Sequence, residues 1–358
     1  MAALRTFRLP ETVRGTSSDR ALGRDMVDAW RSDGLFQIAT SPVQAQRIIT
    51  ATTAGRLFFS LPVEYKARHV SDLSYSGYGI FGEAADAGVA GVGETGRPEI
   101  FTVCKDVPAG DARVRERWPC HGPVPWPDCE YRLAMRAFMD MAGAVGDTLL
   151  RLVALGLGLP APDELTRLTH DGWHHLRVLR FSAEEEGPVT RRPAHGIGAH
   201  TDYGLLIIAV QDEVGGLSIR PPVQGERRPR NWLESESTAG LYEDDAPWIR
   251  IPPVPGVLSV YPGDVMQFLT GGYILSTPHK VALAGTEHHA LAYYHEPAFE
   301  TTLRPLLDDA DRQEGLHYGT HFTTMMMRRH PERAATRRIL GDGRLDVLDR
   351  LRAAPLSR

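Results

Sequence analysis

The sequence predicts a mostly β fold with flanking helices: a double-stranded β-helix, or jelly-roll, core wrapped by N- and C-terminal helices. Three observations predict it. Between residues 173 and 300, eight short strand-like runs follow one another, separated by Gly, Pro and Asp turns with no helices between them. Before and after that region, apolar residues recur at helical spacing. Finally, His200-Thr201-Asp202 ends one strand-like run, and His279 stands far downstream (279 − 202 = 77 residues) where another strand can bring it back.

The 358 residues read as a single domain, 1–358. A helix-rich region covers 1–172, the β-helix core 173–300 and the C-terminal helices 301–358. No linker separates these parts, and no repeat is visible at periods of about 20 to 50 residues.

In order, Ser18 to Ser32 is helical, with Leu22, Met26 and Trp30 on one face and Asp33-Gly34 as its stop. Leu35 to Ala39 reads as a strand, and Ser41-Pro42 opens a helix that runs to about Phe59. The Gly- and Ala-rich stretch 82–96 has no steady period and reads as a loop, either a lid or a plain insertion. Pro98 to Val103 returns to strand, and Trp118 to Pro127 is extended and proline-stiffened. Cys129 to Leu157 is a long helix whose stripe of Leu133, Phe138, Met141, Val145, Leu149 and Val153 packs on a sheet. A short helix, Asp163 to Thr169, precedes the strand region. The eight strands are His175 to Phe181, Leu205 to Val210, Gly215 to Arg220, Trp248 to Ile251, Val257 to Tyr261, Val265 to Leu269, Lys280 to Leu283 and His289 to Tyr294. Gln224 to Asp245 is a charged, exposed loop. Helices return at His317 to Met327, Pro331 to Leu340 and Leu345 to Arg352.

Composition excludes several classes. The net charge of −5 carries no basic stripe, which argues against nucleic acid. No apolar run reaches about eighteen residues, so no membrane span is expected. Met1 to Arg14 lacks the apolar core of a secretory signal. Cys104, Cys120 and Cys129 show no CxxC spacing, which fits buried thiols in a reduced, cytoplasmic protein. A small-molecule substrate is the partner expected; the oligomeric state is open.

His200, Asp202 and His279 form the two-histidine, one-carboxylate set that holds non-haem Fe(II) on one face and leaves roughly three positions open for a co-substrate and O2. His174, His175, His195, His288 and His289 compete as structural histidines. Zinc is the alternative metal, although its catalytic sites more often use three His or two His and a Glu.

Several passages carry a family resemblance over nearly the whole chain. They include Ser71 to Tyr78, Pro98 to Asp106, Trp118 to Pro127, Asp171 to Phe181, Gly196 to Leu206 and Leu275 to Val281. Through them the sequence resembles the bacterial ethylene-forming enzymes, within the Fe(II)/2-oxoglutarate-dependent oxygenases of the isopenicillin-N-synthase-like branch. The resemblance implies Fe(II), 2-oxoglutarate and O2 as cofactor and co-substrates. It implies His200, Asp202 and His279 as iron ligands and catalytic residues, and oxidative decarboxylation of 2-oxoglutarate to succinate, or to ethylene and CO2. That oxidation is coupled to hydroxylation of L-arginine or a related amino acid. It also places Arg177, His288 and Tyr294 on the co-substrate side, and Glu83, Asp86, Arg177, Tyr203 and Arg328 on the substrate side.

Two positions depart from the family pattern. The arginine that holds the distal carboxylate of 2-oxoglutarate falls at 279 + 9 = 288, where this chain has His288. A histidine is shorter, offers at most two donors and is only partly charged at neutral pH. Loss of a charge-assisted hydrogen bond there costs roughly 1.5–3 kcal/mol, about 10- to 100-fold in affinity. The second departure is Gly82-Glu83-Ala84, which lacks the acidic residue expected after Gly-Glu. Two alternatives therefore stand beside the main reading: an Fe(II) oxygenase or oxidase of the same fold with a changed co-substrate, and a non-catalytic β-helix binding protein.

Overall fold

Local signals set the helices that wrap the sheets. In α1 (Ser17–Asp33), Thr16 and Asp19 form a reciprocal capping box, and Gly34, at φ 76°, adopts the left-handed conformation that ends the helix. Helix α2 (Pro42–Phe59) begins with a Ser41–Gln44 capping box and a proline at its first turn. The computed structural model describes residues 4–80, 98–183, 195–229, 237–307 and 315–353. The expected 82–96 loop lies outside them.

The remaining elements follow in chain order. The strands β1 (Thr6–Phe7) and β2 (Phe36–Ala39) flank α1. After α2 come α3 (Val63–Lys66), β3 (Gly77–Ile80), β4 (Glu99–Val103), α4 (Ala112–Arg115), α5 (Cys129–Gly156) and α6 (Thr166–Thr169). The core comprises β5 (His175–Phe181), β6 (His195–His200), β7 (Leu206–Gln211), β8 (Leu217–Ile219), β9 (Ile249–Arg250), β10 (Val257–Pro262), α7 (Asp264–Leu269), β11 (His279–Ala282) and β12 (His288–His295). The chain closes with β13 (Thr302–Leu303), β14 (Leu316–His317), α8 (Tyr318–Arg329), α9 (Ala334–Gly341) and α10 (Leu345–Ala353).

Two sheets face each other. The major sheet runs β1-β2-β10-β7-β12-β5-β4-β3, the minor sheet β6-β11-β8-β9. All pairings are antiparallel except β1 with β2. The period of two along each strand divides the core. Leu176, Val178, Ile208, Leu291 and Tyr293 face the helices and join Trp30, Phe58, Phe138 and Leu149 in the larger cluster. Leu179, Phe181, Ile207, Ala292 and Tyr294 face the minor sheet and meet Ile197, Leu217 and Ile219. Functional side chains therefore need only occupy inward positions of β5, β6, β11 and β12.

Four expectations are corrected. Val265 to Leu269 is helical, not a strand: α7 is wholly buried, and four apolar residues around Gln267 are too short a run to separate a buried helix from a strand. Backbone bonds from Gly263 N to Leu205 O (3.1 Å) and Asp264 N to Asp202 O (2.8 Å) turn the chain back before a strand can extend. Leu133 is 59% exposed, because five residues before Phe138 places it off the buried face that Tyr131, Met135 and Phe138 define. The charged 224–245 loop is partly built into the fold among its described residues. Arg228, Thr238 and Tyr242 are buried, and Arg228 donates to the carbonyls of Ser276 (2.6 Å) and Pro221 (2.8 Å). Of the three cysteines, Cys104 and Cys120 are buried but Cys129, at the start of α5, is exposed. No helix among the described residues is long and apolar enough to cross a membrane.

Candidate metal centre

The minor sheet brings the two distant histidines together by register. In the antiparallel β6–β11 ladder, His279 pairs directly with His200, and their ring centroids are 4.3 Å apart. Just past β6 the chain turns, and the turn presents Asp202 to both rings. Thr201 fixes that turn: its N–H donates to Thr238 Oγ1 at 3.0 Å, and Asp202 O accepts from Asp264 N. Gly263 packs so closely on the turn that a Cβ there would lie 2.3 Å from Gly204 O.

Each candidate ligand is held in a ligand-ready state. His200 Nδ1–H donates to Gly198 O at 2.9 Å and His279 Nδ1–H to Thr277 O at 3.1 Å, which leaves each Nε2 with its lone pair. Burial, together with the neighbouring His279, pushes the His200 pKa down to about 3, so the imidazole is neutral. Burial works to raise the Asp202 pKa, but His279, His200 and Arg177 hold it below the ordinary carboxylate range. Asp202 Oδ2 lies 3.3 Å from His279 Nε2, and Oδ1 lies 3.8 Å from His200 Nε2. The ligand atoms of all three lie within 4.8 Å of one another.

One observation tests whether a metal fits. Asp202 is only 3% exposed and its Oδ2 has no hydrogen-bond partner. A buried, ionised oxygen between two imidazole lone pairs is unfavourable unless a cation joins it. The donor set, two nitrogens and one carboxylate, suits Fe(II).

Two cavities meet at this point, sharing Ile100, Arg177, Ile197 and His200. The narrower, about 60 Å³, runs between the sheets past Tyr261 and Tyr294 to Phe181 and His288. The wider, about 430 Å³, opens toward α8 and is lined by Thr102, Tyr203, Met325, Arg328 and Arg329. Arg177 stands where they join. It donates to Tyr294 Oη at 3.2 Å, and Tyr294 in turn donates to Asp202 Oδ1 at 3.5 Å.

The structure thus gathers His200, Asp202, His279, Arg177, Tyr294, Tyr203 and Arg328 around one centre, with His288 at the far end of the narrow cavity. Glu83 and Asp86 lie outside the described residues. Among the competing histidines, His175 stacks on Tyr294 (4.2 Å, 6°), and His174 stacks on His295 (4.3 Å). His289 lies beside Asp212 and the Phe59 ring.

Sequence reading missed three neighbours. Arg329 follows Arg328 on α8, and its charge acts on Arg177, Tyr203, Tyr294 and Asp202. Its position directly after the predicted Arg328 was the available signal. Tyr261 packs on His279 at 4.8 Å; it ends an apolar strand and gave no sign of a polar role. Glu296 is buried beneath Gly204 and accepts from Leu205 N at 2.9 Å. Burial raises its pKa to about 8, so at neutral pH it adds little charge behind Asp202.

Comparison with known proteins matches this arrangement. Residues 7–129 match the family described as non-haem dioxygenase in morphine synthesis N-terminal, and residues 173–297 match the 2OG-Fe(II) oxygenase superfamily. A 2-oxoglutarate-dependent ethylene/succinate-forming enzyme of Ralstonia nicotianae is 55% identical over 98% of this chain and 99% of its own. The 2-oxoglutarate-Fe(II) type oxidoreductase ppzD of Metarhizium rileyi is 27% identical, covering 85% of this chain and 83% of its own. Among solved structures, the dioxygenase for auxin oxidation in rice shares the fold at TM-score 0.61. The identity there is 20%, over 94% of this chain and 98% of that one.

Proposed function

Because the chain belongs to the 2OG-Fe(II) oxygenase superfamily, we propose that His200, Asp202 and His279 hold Fe(II) and that the narrow cavity takes 2-oxoglutarate. The reaction is oxidation of that co-substrate, to succinate or to ethylene and CO2, coupled to hydroxylation of L-arginine or a related amino acid bound in the wider cavity. In the hydroxylation, one oxygen atom of O2 enters the substrate and the other enters succinate as CO2 leaves.

The observation that carries this reading is the partnerless Asp202 Oδ2 between two oriented imidazoles, at the junction of two cavities. When bound, Fe(II) supplies the O2-dependent oxidising chemistry. The chain's own residues do the rest. Backbone carbonyls of Gly198 and Thr277 lock the imidazole tautomers. Tyr294 orients the Asp202 carboxylate and is itself held by Arg177, whose charge faces both cavities. Leu179, Phe181, Ile197 and Leu217 keep water from the narrow cavity. Arg328 and Arg329 give the wider cavity a cationic wall suited to an amino-acid carboxylate.

The test is turnover by the Fe(II)-reconstituted chain given 2-oxoglutarate and O2, with and without L-arginine. Succinate, headspace ethylene and hydroxylated amino acid are measured together. Iron-dependent succinate or ethylene is expected. Absence of all three products, with Fe(II) bound, contradicts the reading; succinate without a hydroxylated arginine replaces arginine by another amino acid.

A further inference from the structure

The narrow cavity contains a polar side chain that the fold leaves without a partner. His288, at the start of β12, is 1% exposed, and neither ring nitrogen has a hydrogen-bond partner; the Thr286 carbonyl acts on the ring from outside hydrogen-bonding geometry. Its ring stacks on Phe181, its cross-strand neighbour on β5, with centroids 4.6 Å apart and planes 8° from parallel. Nε2 reaches across to the minor sheet. A Cβ on Gly216, which sits at φ +126°, would lie 3.2 Å from it.

The other groups near that end are apolar or engaged, except His289, whose ring lies near Phe59 with Nδ1 3.8 Å from Asp212 and Nε2 3.6 Å from Glu287. Leu179, Ile197, Leu217 and Val281 form the walls, and among the described residues lining this cavity Arg177 is the only arginine or lysine. Arg180 on β5 is paired with Glu99 and Glu287, and Asp212 beyond β7 is paired with Arg56 and accepts from His289 N. Of the charges that reach His288, Asp212 favours its protonation and Arg250 on β9 opposes it, while burial outweighs both and favours the neutral ring.

A buried imidazole with two idle nitrogens is a site waiting for a polar ligand. We propose that His288 receives the distal carboxylate of 2-oxoglutarate and takes up a proton as it does so, which makes co-substrate affinity fall as pH rises. This rests on the co-substrate reading above. A dicarboxylate whose oxo-acid end lies at the triad puts its other carboxylate deeper between the sheets, where His288 is the polar group. A neutral imidazole offers one N–H and one lone pair; its protonated form offers two donors and a charge, and the charge-assisted bond is about twice as strong. The bound carboxylate therefore raises the pKa of the ring. By linkage, uptake of one proton lowers affinity about tenfold for each pH unit between the pKa of the free ring and the raised pKa of the bound ring.

The test is anaerobic calorimetric titration of the Fe(II)-loaded full chain with 2-oxoglutarate between about pH 6.5 and 8.5, in buffers of differing ionisation enthalpy. The wild type is expected to take up close to one proton, with Kd rising about tenfold per pH unit from the lower end of the range up to the pKa of the bound ring. His288→Arg is expected to bind more tightly at the alkaline end with no pH dependence, and His288→Gln to bind weakly with no pH dependence. Wild-type binding that is flat with pH and releases or absorbs no proton overturns the inference and leaves the co-substrate reading standing. No binding by wild type or His288→Arg at any pH overturns both.

Discussion

His279 lies directly across the β6–β11 ladder from His200, so strand register, not loop conformation, sets the separation of the two imidazoles. A site on paired strands is more rigid than one on loops. We expect His200→Ala, Asp202→Ala and His279→Ala each to weaken Fe(II) binding by more than about 100-fold while the fold persists, since a ligand loss exceeds the typical effect of a supporting residue. Thermal melting with and without Fe(II) checks this: the wild type gains stability as bound metal adds roughly 2.7 kcal/mol at a hundredfold excess over Kd, and the variants do not.

The hydroxyl of Tyr294 links the Asp202 carboxylate to Arg177. Tyr294→Phe removes that link but keeps the ring stacked on His175. The expected result is about a tenfold loss of Fe(II) affinity with an unchanged melting profile in the metal-free protein. Equal affinities in the two proteins would show that Asp202 needs no orienting donor.

On the substrate side, Arg329 acts on Asp202, Tyr203 and Tyr294, and Arg328 lines the same cavity beside it. Arg329→Gln is expected to raise KM for the amino-acid substrate about 10- to 100-fold, the value of one charge-assisted bond. Arg328→Gln should have the smaller effect. Steady-state kinetics at saturating 2-oxoglutarate distinguishes them.

Away from the site, Glu99 joins β4 to its neighbours: it accepts from Lys66, Tyr78 and Arg180 in a buried cluster. Burial works to raise its pKa, but Lys66, Tyr78 and Arg180 hold it below the ordinary value. A carboxylate with a depressed folded pKa stabilises the fold above its unfolded pKa of about 4.3, and that contribution is lost as pH falls through the folded value. Glu99→Ala leaves Lys66 buried without its counter-ion and is expected to cost roughly 3–5 kcal/mol at pH 7. Urea unfolding at pH 7 and pH 3 checks both: the gap between wild type and Glu99→Ala narrows at the lower pH.

Much of this was legible in the sequence, for identifiable reasons. The Asp33-Gly34 stop, the Ser41-Pro42 start and apolar residues at helical spacing mark the long helices, and short apolar runs between turns mark the strands. The triad could be read because a short motif and a distant histidine fit one known geometry. Val265 to Leu269 was misread because a short, mostly apolar run, Val-Met-Gln-Phe-Leu, has too little period to separate strand from helix. Arg329, Tyr261 and Glu296 escaped notice because their importance comes from tertiary packing: each lies on a different element, and no spacing in the chain links them.

The most direct measurement is an anaerobic visible-absorption titration of the Fe(II)-loaded protein with 2-oxoglutarate, beside Asp202→Ala. Chelation of Fe(II) by the oxo-acid produces a charge-transfer band. The account predicts a saturable band in the wild type, stronger at pH 6.5 than at pH 8.5 for a given sub-saturating concentration as one-proton linkage requires, in roughly the range where a histidine titrates, and no band in Asp202→Ala. A wild-type protein that binds Fe(II) yet shows no band at millimolar 2-oxoglutarate at either pH, or an Asp202→Ala variant with the full band, would contradict it.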